Sequence, residues 1–249
     1  MARLIDQAIV LRSTDWSETS QLVTLFTASQ GRLRGLAKGS KRLSPSAIAR
    51  YSGGIELLTY GQIVATTRAS SDLATLTEWD LQDDHRHLRT HLPAQRAALV
   101  AADLTPRFFE DHDPHPVLFD ALAGCLRELA APERVSGVLL VYLWTLLTEA
   151  GYQPRTDADV HTNAELPGRS AVWFDPMAGG FTTARREGPW RVRPGTLGLL
   201  QALHRDGGVA DGSEVETLRR ATRLLTAYAR ELLQTESEAM RLVLGGGGR

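Results

Sequence analysis

The sequence predicts an α+β protein of two domains. A five-stranded barrel is expected over residues 1–79, followed by a helical domain over residues 80–249 that an irregular insertion interrupts at about 155–192. Three observations predict it. Short β-branched and apolar runs crowd the amino-terminal part of the chain. From about Asp80 the apolar residues recur at three- and four-residue spacing instead. Charge changes along the same path: residues 1–50 hold eight Lys/Arg against three Asp/Glu, residues 51–160 eight against sixteen, and residues 161–249 twelve against ten. These are +5, -8 and +2 within a formal net charge of only -1.

The strands come first. Ala8-Ile9-Val10-Leu11 is a short apolar run, and Leu22-Val23-Thr24-Leu25-Phe26-Thr27 is rich in β-branched and apolar side chains. Gly31 turns the chain into Arg32-Leu33-Arg34-Gly35-Leu36-Ala37, and Ser44-Pro45-Ser46 marks a loop. Ile55–Tyr60 and Ile63–Thr67 then flank Gly61-Gln62 as a hairpin. About five short strands within roughly seventy residues is the count of a small closed barrel of the oligonucleotide-binding (OB) kind.

Helical spacing follows in Leu92–Leu104, Pro116–Ala130 and Val135–Ala150. Gly151 serves as the stop of the third, and Pro154 keeps the helix from resuming. Residues 155–192 lose periodicity and hold Pro167-Gly168, Pro176 and Gly179-Gly180, with one hairpin expected at Ala171-Val172-Trp173-Phe174. Helices resume at Pro194–His204 and Val215–Leu244, the latter opened by a capping box, Ser213-x-x-Glu216. The terminal Gly245–Arg249 reads as a frayed tail.

Composition narrows the class. An apolar fraction of 43% with 23% charged residues over 249 positions is that of a soluble globular protein. No apolar run reaches the ~18–20 residues that span a bilayer, and the start lacks the apolar core of a signal peptide. No membrane partner and a cytoplasmic location are therefore expected. Cys125, the single cysteine, excludes an intrachain disulfide and a multi-cysteine metal site, and it suits a reducing compartment.

The densest functional signal is Arg32–Arg42. It contains the chain's only two lysines, Lys38 and Lys41, together with Arg32, Arg34 and Arg42, and no acidic residue. Strand alternation puts Arg32, Arg34 and Lys38 on one face, with Leu33, Gly35 and Ala37 on the other. A cationic strand face running into a cationic loop suits a polyanion; a merely solvated surface strand is the plainer reading. Arg12 and Trp16 flank the first strand, and Arg50 and Tyr51 precede the fourth. Cations for the backbone and flat rings for bases are what an unpaired nucleic-acid strand requires. Both aromatics are equally compatible with closing the barrel ends.

Other chemistry finds little support. Gly39-Ser40-Lys41 lacks the upstream glycine of a phosphate-binding loop, so ATP hydrolysis is not expected. Asp83, Asp84, His87 and His91 would share a helical face able to hold a metal, but Arg86 and Arg89 compete for the carboxylates. Glu110–Pro116 reads as an acidic interhelical loop in which Asp113 caps the next helix. There is no Gly-x-Ser-x-Gly elbow, and Cys125 sits in an apolar helical run. The expectation is a binding protein with no catalytic residue, metal or cofactor.

Ala8–Arg12 followed by Asp15-Trp16-Ser17-Glu18-Thr19-Ser20-Gln21-Leu22 resembles the amino-terminal signature of the RecO recombination mediators. Gly31-Arg32-Leu33 with Leu36–Arg42 resembles their second signature. Pro116-x-Leu118-Phe119-x-x-Leu122 and Leu146-Leu147-x-x-Ala150-Gly151-Tyr152-x-Pro154 resemble their helical-domain motifs. The resemblance implies an OB barrel, a helical domain and no enzymatic site. It implies binding of single- and double-stranded DNA and annealing of complementary strands, in a nucleoid-associated cytoplasmic protein. It also implies partnership with RecR and with the C-terminal tail of single-strand binding protein, and indirect help to RecA. Carried over residue by residue, the DNA contacts are Arg32, Arg34, Lys38, Lys41 and Arg42, with Arg12 beside them.

One departure is plain. Where family members place two Cys-x-x-Cys pairs, this chain has Asp159 and Thr162, then Thr183 and Arg186. Zinc is therefore not carried over, and the insertion is expected to be held by Trp173, Phe174, Phe181 and Trp190. Arg127 and Arg134 are candidates for the acidic tail of single-strand binding protein. An OB-fold RNA-binding protein and a protein-only scaffold are the rival readings.

Overall fold

A computed structural model describes residues 2–52, 54–68, 71–166, 171–185 and 188–245. Pro167, Gly168, Arg186 and the tail from Gly246 onward lie outside the described residues. The chain forms two compact units, Met1–Ala130 and Ala131–Arg249.

In the first unit β1 (Ala2–Ser17), β2 (Ser20–Thr27), β3 (Gly31–Ala37), β4 (Tyr60–Arg68) and β5 (Ser71–Asp83) close a barrel in the order β1-β2-β3-β5-β4. Closure depends on one parallel pairing, β3 with β5, in an otherwise antiparallel set. This is the five-stranded Greek-key barrel of the OB fold. Inward-facing Val10, Val23, Leu25, Leu33, Ile63, Leu76 and Trp79 fill it. Between β3 and β4 a short helix, α1 (Pro45–Tyr51), plugs one end. Ser44 caps it by accepting from the Ala47 backbone N–H, and Pro45 occupies the first turn, where no N–H is needed. The Tyr51 hydroxyl donates to the Leu76 carbonyl at 2.9 Å and reaches that of Lys38 at 3.3 Å.

The expected hairpin at Gly61-Gln62 is corrected. Residues 55–59 form an irregular turn, and Gly61 lies inside β4, paired with Leu81 of β5. A Cβ on Gly61 would lie 2.3 Å from the Asp80 carbonyl oxygen, so glycine marks close backbone approach here rather than a turn. β4 pairs antiparallel with β5 from Tyr60 against Asp83 to Arg68 against Ser71.

The same unit carries α2 (Leu92–Phe108) and α3 (Pro116–Glu128). Phe119 of α3 covers the outer side of the barrel, its ring 6.1 Å from that of Phe26 and 6.2 Å from that of Tyr60. Burial of Ile9 and Phe26, which point outward in the strand alternation, follows from that cover.

The Asp83–His91 segment is not the continuous helix that the metal reading required. Asp83 ends β5 and accepts from the His85 N–H at 2.8 Å. Asp84 pairs with Arg86, and His87 Nε2 bonds the Leu126 carbonyl at 2.8 Å. Among the described residues no group of three or more His, Cys, Asp or Glu could hold a metal ion. Asp113 pairs with His115 rather than capping α3, whose N-cap is His115.

The second unit contains α4 (Val135–Glu149), β6 (Val172–Asp175), β7 (Gly180–Thr182), β8 (Trp190–Val192), α5 (Pro194–Asp206), α6 (Val215–Leu233) and α7 (Glu238–Leu244). The expected single helix to Leu244 is two: Gln234 takes φ 50°, ending α6, and Ser237 caps α7 through the Met240 N–H. The capping box is not formed, because the Ser213 hydroxyl donates to the Ala210 carbonyl. The insertion forms a three-stranded sheet, β7-β6-β8, with Phe174 against Phe181, Trp190 and, from α6, Tyr228.

Sequence reasoning missed the centre of that insertion. Asp159 is fully buried. Its carboxylate accepts from the backbone N–H groups of His161, Thr162 and Thr183 and from the hydroxyls of Thr182 and Thr183. Burial works to raise its pKa, yet these donors outweigh it and hold the carboxyl well below the usual range.

Candidate nucleic-acid interface

The outer face of β1, β2 and β3 is set by strand register. In β1 Ala8 and Val10 face the core, so unbroken alternation would turn Arg12 inward as well. A bulge at Leu11 prevents this: Val10 pairs with Leu25, and the next partner of β2 is Arg12 against Thr24. From there Arg12 and Thr14 face outward, and a second register shift between Asp15 and Ser17 leaves Trp16 unpaired and exposed.

The register then gives rows across the sheet. Arg12, Thr24 and Arg34 form one row, and Thr14, Leu22 and Leu36 the next. Beyond that row lie Trp16 and Lys38. Arg12 and Arg34 are exposed and have no carboxylate partner among the described residues; they line a cleft of about 340 Å³.

Residues 38–42 form a fixed loop. Gly39 adopts φ 75°, a left-handed turn that favours glycine. Its N–H donates to the Ser20 hydroxyl at 3.2 Å, and the Lys41 N–H donates to the Thr19 carbonyl at 3.1 Å. Ser40 is buried and donates to Gln21 Oε1 at 2.9 Å. Gln21 in turn donates to Ser13 Oγ at 2.9 Å and to the Ile55 carbonyl at 3.0 Å. A polar cluster thus holds the backbone while Lys38, Lys41 and Arg42 point to solvent.

The six expected contact residues divide. Arg12, Arg34, Lys38 and Arg42 are exposed without a carboxylate partner among the described residues. Lys41 pairs with Asp15 at 2.6 Å in an exposed contact. Arg32 is placed differently: its guanidinium bonds both the Asp111 carboxylate and the Pro106 carbonyl, and its own carbonyl accepts from the His112 N–H at 3.0 Å. It fastens the acidic loop between α2 and α3 to β3. Alternation identified the face Arg32 points to, but nothing local revealed a partner 79 positions away.

The aromatics divide too. Tyr51 is 2% exposed and closes the barrel, whereas Trp16 is 63% exposed. Arg50, which the sequence places with Tyr51 ahead of the fourth strand, is an exposed cation at the end of α1; its Nε donates to the Ser46 carbonyl at 3.2 Å, and its guanidinium lies 6.0 Å from the Tyr51 ring centre. Of the candidates for an acidic tail, Arg127 is exposed near the end of α3 in the first unit, and Arg134 precedes α4 in the second. Cys125 is buried, and burial pushes its thiol up to about 12, so it stays protonated and unreactive at neutral pH.

Both halves of the chain are similar to known proteins. The family model described as "Recombination protein O N terminal" matches residues 1–84, and "Recombination protein O C terminal" matches residues 89–238. A DNA repair protein RecO from Anaeromyxobacter sp. strain K is 31% identical over 98% of this chain and 96% of its own length. One from Anaeromyxobacter dehalogenans strain 2CP-C is 32% identical over 98% and 96%. One from a Nocardioides species is 30% identical over 96% and 98%. Two matched halves in order, on an OB barrel with a helical unit after it, place the chain in the RecO family of DNA repair proteins.

Proposed function

We propose that the protein is a non-enzymatic recombination mediator that binds single- and double-stranded DNA on the outer face of β1, β2 and β3. One observation carries the reading: the register and the fixed 38–42 loop gather Arg12, Arg34, Lys38, Arg42 and Arg50 on one barrel surface, none with a carboxylate partner among the described residues. Arg34 on β3 and Lys38 at the start of the loop that follows it are four residues apart, roughly 13 Å at strand rise. An extended polynucleotide presents anionic groups over that distance; a small anion does not. Lys41 joins the set when phosphate displaces Asp15, because an exposed ion pair is worth only ~0.2–1 kcal/mol.

Family membership supports the rest of the role: annealing of complementary strands, partnership with RecR and with the acidic tail of single-strand binding protein, and assistance to RecA. Fluorescence anisotropy of a labelled single-stranded oligonucleotide, titrated across salt, tests the interface. With Lys41 counted, six phosphate contacts at ~0.7 each give a log–log slope of roughly -4. Affinity independent of salt would overturn the reading. Competition by matched DNA and RNA oligonucleotides separates a DNA mediator from an RNA-binding relative, and annealing of complementary strands separates both from a protein-only scaffold.

A further inference from the structure

We infer that Trp16, Lys38, Arg42 and Arg50 form a subsite for one unpaired nucleobase and its flanking phosphates. The site rests on the proposed DNA face and lies at its loop end. There a cleft of about 500 Å³ is lined by these four side chains together with Ser20 and Leu36.

Four features point to a base. Trp16 is the largest side chain on this face and is 63% exposed, although tryptophan is normally well buried. A second register shift, between Asp15 and Ser17, leaves Trp16 itself unpaired in the ladder, so its exposure is built by a bulge rather than left at a frayed end. The indole is bordered by cations from two directions, Lys38 and Arg42 from the fixed loop and Arg50 from α1. The Arg50 Nε is anchored on Ser46 and its plane lies near Tyr51, which pre-sets the guanidinium and leaves its outer nitrogens to a ligand.

An acidic peptide would satisfy the cations without needing an exposed flat ring. A duplex would satisfy them too, but its bases are already stacked. An unpaired strand satisfies both, since stacking on an aromatic is worth ~1–3 kcal/mol per base and tolerates any base. From the subsite the polyanion continues past Leu36 and Leu22 to the Arg12–Arg34 row. Trp16 therefore confers preference for single over double strands, and the cations confer affinity for both.

The test uses the full chain with oligothymidylate and with a mixed-sequence duplex, both fluorescently labelled. Trp16→Ala should raise the dissociation constant for oligothymidylate about tenfold, leave that for the duplex within twofold (roughly the scatter of a neutral surface change), and leave the salt slope unchanged. Trp16→Phe should recover most of the loss. Arg50→Ala should flatten the slope by about 0.7. A Trp16→Ala protein that binds single strands as well as wild type, or that loses single and double strands equally, overturns the subsite. Arg12→Ala/Arg34→Ala, outside the subsite, tests the DNA face separately: if it binds as wild type while Trp16→Ala weakens, the face fails and the base contact stands. Unchanged urea midpoints exclude unfolding as the cause in each case.

Discussion

Arg32 and Arg34 stand two residues apart on the same side of one strand, and the proposed interface gives them opposite work. Arg32→Ala removes a guanidinium that bonds both the Asp111 carboxylate and the Pro106 carbonyl, with the pair's side chains 27% and 31% exposed. A hydrogen bond to a charged group contributes ~1.5–3 kcal/mol where water is excluded, and an exposed ion pair only ~0.2–1. At roughly a third exposed, the two bonds together should cost about 2 kcal/mol. For a chain of this length that is a fall in Tm of about 4–8 °C. Arg34→Ala touches an exposed residue with no carboxylate partner, so stability should stay within about 0.5 kcal/mol.

Binding should respond in reverse. Loss of Arg34 removes one phosphate contact and flattens the single-strand salt slope by ~0.7, so that between about 50 and 200 mM salt the affinity falls some two- to threefold less than in wild type. Loss of Arg32 should leave the slope unchanged. Differential scanning fluorimetry and anisotropy on the two variants side by side make the comparison. A destabilised Arg34→Ala, or an Arg32→Ala that keeps its Tm and loses slope, would refute the assignment of both residues.

Three further outcomes are expected. Gln21→Ala removes the side chain that ties Ser40, Ser13 and Ile55 together, so single-strand affinity should fall a few-fold through lost preorganisation, with slope intact; a changed slope would show that charges had moved. His85 is buried, and burial lowers its pKa against the opposing pull of the Leu58 carbonyl and Asp83. Its contribution is therefore present above the unfolded value of ~6.5 and lost as pH falls through the folded one, so urea midpoints should decline from pH 7 to 5 in wild type and less in His85→Gln. Asp159→Asn turns an amide nitrogen toward donors and should cost about 2–4 kcal/mol, read as earlier loss of the near-ultraviolet signal of Trp173 and Trp190.

What could be read without coordinates was whatever local pattern dictates. Alternation identified the face of Arg34 and Lys38 because a strand's period is two whatever it pairs with. Helices α2 to α5 showed themselves through apolar spacing. The barrel's fourth and fifth strands were misplaced because Gly61 marks a turn in most chains, while here it admits the Asp80 backbone. Helix α1 escaped notice because seven residues carry barely two turns of periodicity. The partners of Arg32, Ser40 and Asp159 share one reason for being missed: each lies remote in sequence, and no spacing rule reaches it.

Asp159 shows why missing cysteines did not mean a missing structure. The resemblance implies two Cys-x-x-Cys pairs that would tie the loop near residue 160 to the one near residue 183. In this chain Asp159 and Thr162 stand at the first pair, and Thr183 at the start of the second. The carboxylate of Asp159 accepts from Thr162 within its own loop, and from Thr182 and Thr183 across the gap. The same two loops are closed, with an anion and five N–H and O–H donors in place of a cation and thiolates. A buried carboxylate is tolerable only when its lone pairs are filled, which fixes the donors as firmly as a metal fixes its ligands. The Phe174–Phe181–Tyr228 contacts then supply apolar cover behind it. This closure is independent of redox state and of chelators. Thr183→Val, which keeps shape and backbone but removes one hydroxyl donor, should therefore weaken the insertion by about 1–2 kcal/mol, whereas a metal chelator should leave its urea midpoint unmoved. A chelator-sensitive midpoint would show that the carboxylate does not close these loops alone.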